Sequence, residues 1–236
     1  MMRLRPAFSY YGSKWMLAPH YPAPTHGVIV EPFAGSACYS LLHYDRDVLL
    51  IDKNPDVVDT WAYILSASPS EILDLPDLPP SGVVADMGLP RGPSLLVRWW
   101  VNQASSSPAH RASVWAQTYP NKHWSRRVRE RIAMTIPHLR HWRVMLGDYT
   151  DAPDINATWF VDPPYAGRPG SRYPHGSRGI DYSALARWCQ HRKGQTIVCE
   201  HDGANWLPFR PFRALRSAAG HVERIESVWT NEEAER

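Results

Sequence analysis

Apolar residues in this chain cluster in short runs divided by polar turns. Runs of three to five occur at Gly27-Val28-Ile29-Val30, Val48-Leu49-Leu50-Ile51, Val144-Met145-Leu146, Ala157-Thr158-Trp159-Phe160-Val161 and Thr196-Ile197-Val198-Cys199. Such runs lack polar alternation and read as strands buried on both faces. Stretches with helical character lie between them. One covers 36–44. A second opens at Asn54-Pro55, a cap followed by a first-turn proline, and runs through about Leu65. A third starts at the cap Ser125 and runs to Ile136, with Val128, Ile132 and Ile136 on one face and Arg126, Arg127 and Arg129 on the other. A fourth spans Tyr182 to His191. This alternation predicts an α/β fold with a parallel sheet.

The rhythm breaks over 66–94, which is rich in Ser, Pro, Asp and Gly, and resumes near 144. The simplest organisation is one α/β domain, 1–65 and 144–236, interrupted by a mainly helical insertion at 66–143. The tail beyond Trp229 is polar and reads as frayed.

Composition adds little to this picture, whereas charge distribution adds more. The 236 residues carry 26 Lys and Arg against 23 Asp and Glu, a net charge of +3, which by itself does not mark a nucleic-acid binder. The first 90 positions hold five basic residues, and the next 55 hold ten with Glu130 as the one acid. The insertion is therefore a basic block, interleaved with Trp99, Trp100, Trp115 and Trp124. The tryptophans read as core, and several of the arginines as a solvated helix face. The three cysteines (Cys38, Cys189, Cys199) form no disulfide pattern. With no membrane-length apolar stretch and no signal-like N-terminus, a cytoplasmic setting is expected. Cys189-Gln-His191 and Cys199-Glu-His201 repeat a Cys-x-His pattern, but their helix-then-strand placement does not suit zinc, and no metal is expected.

Three segments carry candidate chemistry. Asp162-Pro163-Pro164-Tyr165 follows the apolar run 157–161. It puts a carboxylate and an aromatic ring on a stiff turn at the carboxyl end of a strand, where open α/β sheets bind ligands. Such an acid can accept the hydrogens of a planar amine. Glu31-Pro32-Phe33-Ala34-Gly35-Ser36 follows the first strand, and its small residues let a ligand approach the backbone. Asp52 ends the second strand 17 residues after Gly35. An acid there suits ribose hydroxyls, and the competing role of helix cap falls better to Asn54. Finally, Tyr10-Tyr11-Gly12-Ser13-Lys14 combines aromatic rings with one ammonium.

Together these segments resemble the Dam-like family of DNA adenine-N6 methyltransferases. Tyr-Gly-Ser-Lys is similar to the family's N-terminal cofactor motif, Glu-Pro-Phe-Ala-Gly-Ser to the motif around its first strand, and Asp-Pro-Pro-Tyr to its catalytic motif. They stand in the family's order, over about two-thirds of the chain. The resemblance implies a Rossmann-like methyltransferase fold with an inserted, mainly helical target-recognition region. It further implies S-adenosylmethionine as cofactor and DNA as partner. Tyr10, Lys14, Gly35, Asp52, Asp148 and Asp162 would bind the cofactor, with Asp148 equally readable as a strand-ending turn acid. Asp162, Pro163 and Tyr165 would be catalytic, the first two accepting the hydrogens of the target amine and Tyr165 stacking on a flipped base. Arg98, Arg111, Lys122, Arg126, Arg127 and Arg129 are the phosphate-contact candidates. The same chemistry could serve cytosine N4, RNA or a protein amide, and a non-catalytic binder could keep the fold. No recognition sequence is implied.

Overall fold

The computed structural model describes residues 3–102, 105–119, 123–167, 169–216 and 223–232. Its centre is a seven-stranded sheet made of β1 (Val28–Glu31), β2 (Asp47–Asp52), β3 (Arg143–Leu146), β4 (Ala157–Val161), β5 (Gly194–His201), β6 (Arg210–Arg216) and β7 (Glu223–Thr230), in the order β3-β2-β1-β4-β5-β7-β6. The first five positions are parallel, and β7 and β6 add an antiparallel edge. All five residues of β4 are buried, as an apolar run inside a two-sided sheet requires. The chain moves outward from β1 through β2 to β3, then returns to the other side of β1 with β4. The order therefore reverses between β1 and β4, which is where open α/β sheets form a crevice.

The expected helix after β2 is present as α1 (Pro55–Ser66). The Asn54 side chain accepts from the Asp56 N–H as its cap. Two short helices, α2 (Pro69–Leu73) and α4 (Val114–Thr118), flank α3 (Arg91–Val101), followed by α5 (Arg126–Thr135) before β3; α6 (Tyr182–Gln190) precedes β5. Helix α2 falls in the stretch expected to be a break. A reciprocal capping box between Ser68 and Glu71 starts it, and Ile72 anchors it in the core. Buried residues of α3 and α5 join those of α1 in one hydrophobic cluster. The Trp99 indole donates to the Thr60 hydroxyl, the Trp100 indole to the Ala7 carbonyl and the Trp124 indole to the Pro76 carbonyl. These three tryptophans are core, as expected. The Trp115 side chain lies outside the described set.

Two expectations need correction. Residues 36–44 form no regular helix, only a 3-10 turn at Ser40–His43. Ala37 takes a positive φ of 48°, which a right-handed helix cannot contain, and the Glu31 carboxylate captures the Ser40 N–H. The tail beyond Trp229, in turn, is paired over its first residues: β7 pairs with β5 out to Thr230, and Asn231 bonds both Thr196 and Gly194, while 233–236 lie outside the described residues. Among the described residues, no helix is long and apolar enough to cross a membrane.

Candidate active site

A cavity of about 750 Å3 opens at the carboxyl ends of the parallel strands. That volume falls inside the roughly 300–1,000 Å3 typical of ligand and cofactor sites. Glu31 ends β1, Asp52 ends β2, Gly147 follows β3 and Asp162 follows β4, and all four face the cavity. The N-terminal segment supplies Tyr10 to Lys14, and the loop before α6 supplies Tyr173 to Gly176. The six residues expected at a cofactor, Tyr10, Lys14, Gly35, Asp52, Asp148 and Asp162, lie in this one wall.

Each is held by local structure. Gly35 has a φ of +44°, and a Cβ there would stand 3.1 Å from the Tyr10 ring. Its N–H donates to Asp52 Oδ2 at 2.9 Å, and its carbonyl accepts from the Trp61 indole at 2.8 Å. Asp52 Oδ1 accepts the Asn54 N–H at 2.9 Å. Burial raises the Asp52 pKa against the lowering by these N–H groups. Asp148 plays the turn role: it accepts the Tyr149 N–H, closes a capping box with Asp151 and pairs with the Lys53 ammonium at 2.7 Å, all while facing the cavity. Tyr10 packs on Phe8, Trp99 and Tyr173.

The chemistry concentrates at Asp162. Its Oδ1 lies 2.8 Å from Lys14 Nζ, an ion pair between a buried ammonium and a half-buried carboxylate. Burial pushes the Asp162 carboxyl up from its ordinary 3.8 to about 6; Lys14 opposes that rise and Glu226 adds to it. Burial also opposes the Lys14 charge, but Asp162 and Glu226 outweigh it and hold the ammonium well above its usual range. Nearby Glu31 is buried and pushed up to about 8, chiefly by desolvation, against the lowering by Ser40.

Pro163 and Tyr165 are placed differently. Pro163 is buried, and neither residue belongs to the cavity wall. The Tyr165 hydroxyl donates to Glu226 Oε1, and Lys14 Nζ sits 4.6 Å from its ring centroid. The ring that was expected to stack on a base instead packs against the site's own ammonium. Aromatic surface in the cavity comes from Tyr10, Tyr11, Phe33, Tyr149, Phe160 and Tyr173. Tyr173 escaped sequence reasoning because it stands in a Gly- and Arg-rich loop without periodicity. Glu226 escaped it because it lies on β7, where the one local signal is an acid among the strand formers Ile225, Val228 and Trp229.

The basic candidates divide. Arg126 and Arg127 are exposed on α5, with Arg126 paired to Glu130. Arg111 is exposed and donates to the Ser81 carbonyl. Lys122 lies outside the described residues. Arg98 is half-buried and bonded to the Pro108 carbonyl. Arg129 is a correction: it is buried, and it pairs with Asp77 at 2.7 Å. Four residues after Ser125 and three before Ile132, it falls on the packed face of α5 rather than with its arginine neighbours.

Among the described residues, one trio of potential metal ligands, Asp162, Cys199 and Glu226, lies within 4.8 Å. Lys14 Nζ stands 2.8 Å from the first carboxylate and 3.8 Å from the second, so a cation position there is taken by the protein's own ammonium. No protein-family model matches the chain, and no curated protein matches it.

Proposed function

We propose that this chain is an S-adenosylmethionine-dependent DNA methyltransferase that modifies adenine N6, built on a Rossmann-like fold with residues 66–143 as the inserted target-recognition region. The observation that carries the reading is the Asp162 carboxylate, held by Lys14 at 2.8 Å in the wall of a cavity shared with Gly35 and Asp52. The residues fit the cofactor. Gly35 leaves a bare backbone where a side chain would intrude, Asp52 presents a carboxylate suited to ribose hydroxyls, and Tyr10 and Asp148 complete the wall. When bound, the cofactor supplies an electrophilic methyl group on a sulfonium.

The protein's part is placement and electrostatics. An exocyclic amine is a weak nucleophile because its lone pair is delocalised into the ring. Asp162, in the cavity wall, accepts an amine hydrogen, which directs the lone pair at the methyl carbon. Fixed placement supplies much of the rate, and the carboxylate stabilises positive charge developing on nitrogen. Lys14 favours the ionised form of Asp162, so the acceptor is charged above pH about 6. A base inside a duplex cannot reach this depth and must be flipped. Arg111, Arg126 and Arg127 then hold phosphates.

The test is methyl transfer to unmethylated DNA, followed by digestion and nucleoside identification. N6-methyladenine is expected, with turnover falling as pH drops through about 6. Asp162→Ala should cost at least about 100-fold in kcat. N4-methylcytosine would overturn the adenine assignment, and cofactor binding without transfer would make the protein a binder.

A further inference from the structure

Glu226 is buried on the antiparallel strand β7, outside every motif that points to the cavity. Its Oε1 accepts the Tyr21 hydroxyl at 2.9 Å and also the Tyr165 hydroxyl, and it lies 3.8 Å from Lys14 Nζ. Two O–H groups donate to this one oxygen, as its two lone pairs allow. Tyr21 and Tyr165 both donate to Glu226, and their own pKa values rise well above the ordinary 10.0, chiefly through burial. They remain neutral.

The charges around Lys14 do not balance. Among the described residues, its ammonium is the one cation that forms an ion pair with these two carboxylates, Asp162 and Glu226. Cys199 stays a neutral thiol because burial pushes it well up, and Glu31, at about 8, is mostly neutral at pH 7. Glu200, also buried, turns to the loop instead: it accepts from the Ala166 N–H, the His201 N–H and the Trp206 indole. One positive against two negative groups leaves a surplus negative charge behind the cavity floor, in a setting where Coulomb interactions are weakly screened.

We propose that Glu226 is a specificity-determining positioning residue whose surplus charge makes the cavity prefer a cationic ligand over its neutral counterpart. This rests on the methyl-donor reading above. The donor is a sulfonium cation, and the thioether left after transfer, S-adenosylhomocysteine, is neutral and nearly the same shape. Lys14 offsets one carboxylate. Glu226 supplies the other, so the site distinguishes loaded donor from spent product by charge, and product departs more readily than donor.

Isothermal titration of the full chain tests this with three ligands: S-adenosylmethionine, S-adenosylhomocysteine and the analogue carrying a protonated amine in place of the sulfonium. The wild type should bind both cations about tenfold tighter than the thioether. Glu226→Gln keeps an acceptor oxygen for the two tyrosines but removes the charge. It should abolish that ratio, about 1.4 kcal/mol, and leave thioether affinity within about twofold. Tyr21→Phe, which removes a bond to Glu226 but no charge, should retain the ratio. An unchanged ratio in Glu226→Gln would overturn the proposal. So would equal loss of all three ligands, which would make the residue merely structural, or a wild type that shows no preference for the cations. A wild type that binds none of the three would instead overturn the cofactor reading, and this inference with it.

Discussion

The cavity and the basic helical stretch both concentrate charge, but they hold it in opposite ways. In the helical stretch most charges that touch protein are matched. Arg91 reaches Asp56 and Asp59, Arg129 reaches Asp77, Arg98 reaches a carbonyl, and Arg140 spans the carbonyls of Leu65 and Ala67 at the end of α1. In the cavity, Glu31, Asp52 and Asp162 are all raised above their ordinary pKa by burial. Buried carboxylates without full compensation oppose folding, and they persist where a site uses them. The first region spends its charge on structure, and the second holds it ready for a ligand.

The strongest way to break that contrast is to remove a cavity acid and find stability unchanged. Glu31 has the clearest sign. Its folded pKa is raised from 4.5 to about 8, so its contribution to stability is full below 4.5 and lost as pH rises through about 8. Glu31→Gln does not titrate and keeps an acceptor for the Ser40 N–H. Its thermal midpoint should match the wild type near pH 5 and exceed it at pH 9. The gap is bounded above by about 5 kcal/mol, on the order of 10 °C for a chain this size. Parallel midpoints across that range would show that the cavity stores no such strain.

A smaller effect should follow at Gly35. Alanine there must adopt a φ of +44° and bring its Cβ to 3.1 Å from the Tyr10 ring. The backbone cost is about 1 kcal/mol, and the ring, which lines the cavity, must shift by a few tenths of an ångström. Titration with S-adenosylhomocysteine should show binding weakened by about fivefold to tenfold while the protein stays folded by circular dichroism. Undiminished binding would remove Gly35 from the site.

How far the sequence reveals these two regions differs for physical reasons. Parallel strands β1, β2, β4 and β5 are legible because strands covered on both faces need unbroken apolar runs, and their carboxyl ends carry the acids. The hairpin of β6 and β7 is not, because Arg210, Pro211, Arg213 and Glu226 interrupt any apolar period. Glu226 meets Tyr21 across 205 positions, a contact with no local signature. Tyr165 was legible as important but not in its packing, since its partners Lys14 and Glu226 come from opposite ends of the chain. In the helical stretch, counting arginines located a basic region but could not separate structural from free cations. That distinction depends on which carbonyl or carboxylate each one reaches after folding.

The finest test of the comparison sits within α5, where Arg127 and Arg129 are two positions apart. Arg127 is exposed, and among the described residues it makes no ion pair. Arg129 is buried, with its guanidinium 5.8 Å from the Trp124 ring centroid and 2.7 Å from Asp77. Alanine at 129 removes packing as well as charge. It should lower stability by about 1–2 kcal/mol, read as a denaturant midpoint shift with an unchanged slope. Alanine at 127 should leave that midpoint within about 0.5 kcal/mol. If the proposed DNA reading holds, affinity for DNA should fall similarly on every sequence, and the slope of log affinity against log salt should diminish by about 1. Equal salt slopes for the two variants would mean that α5 does not present this face to phosphates. Equal stability losses would mean that Arg127, too, is spent on structure.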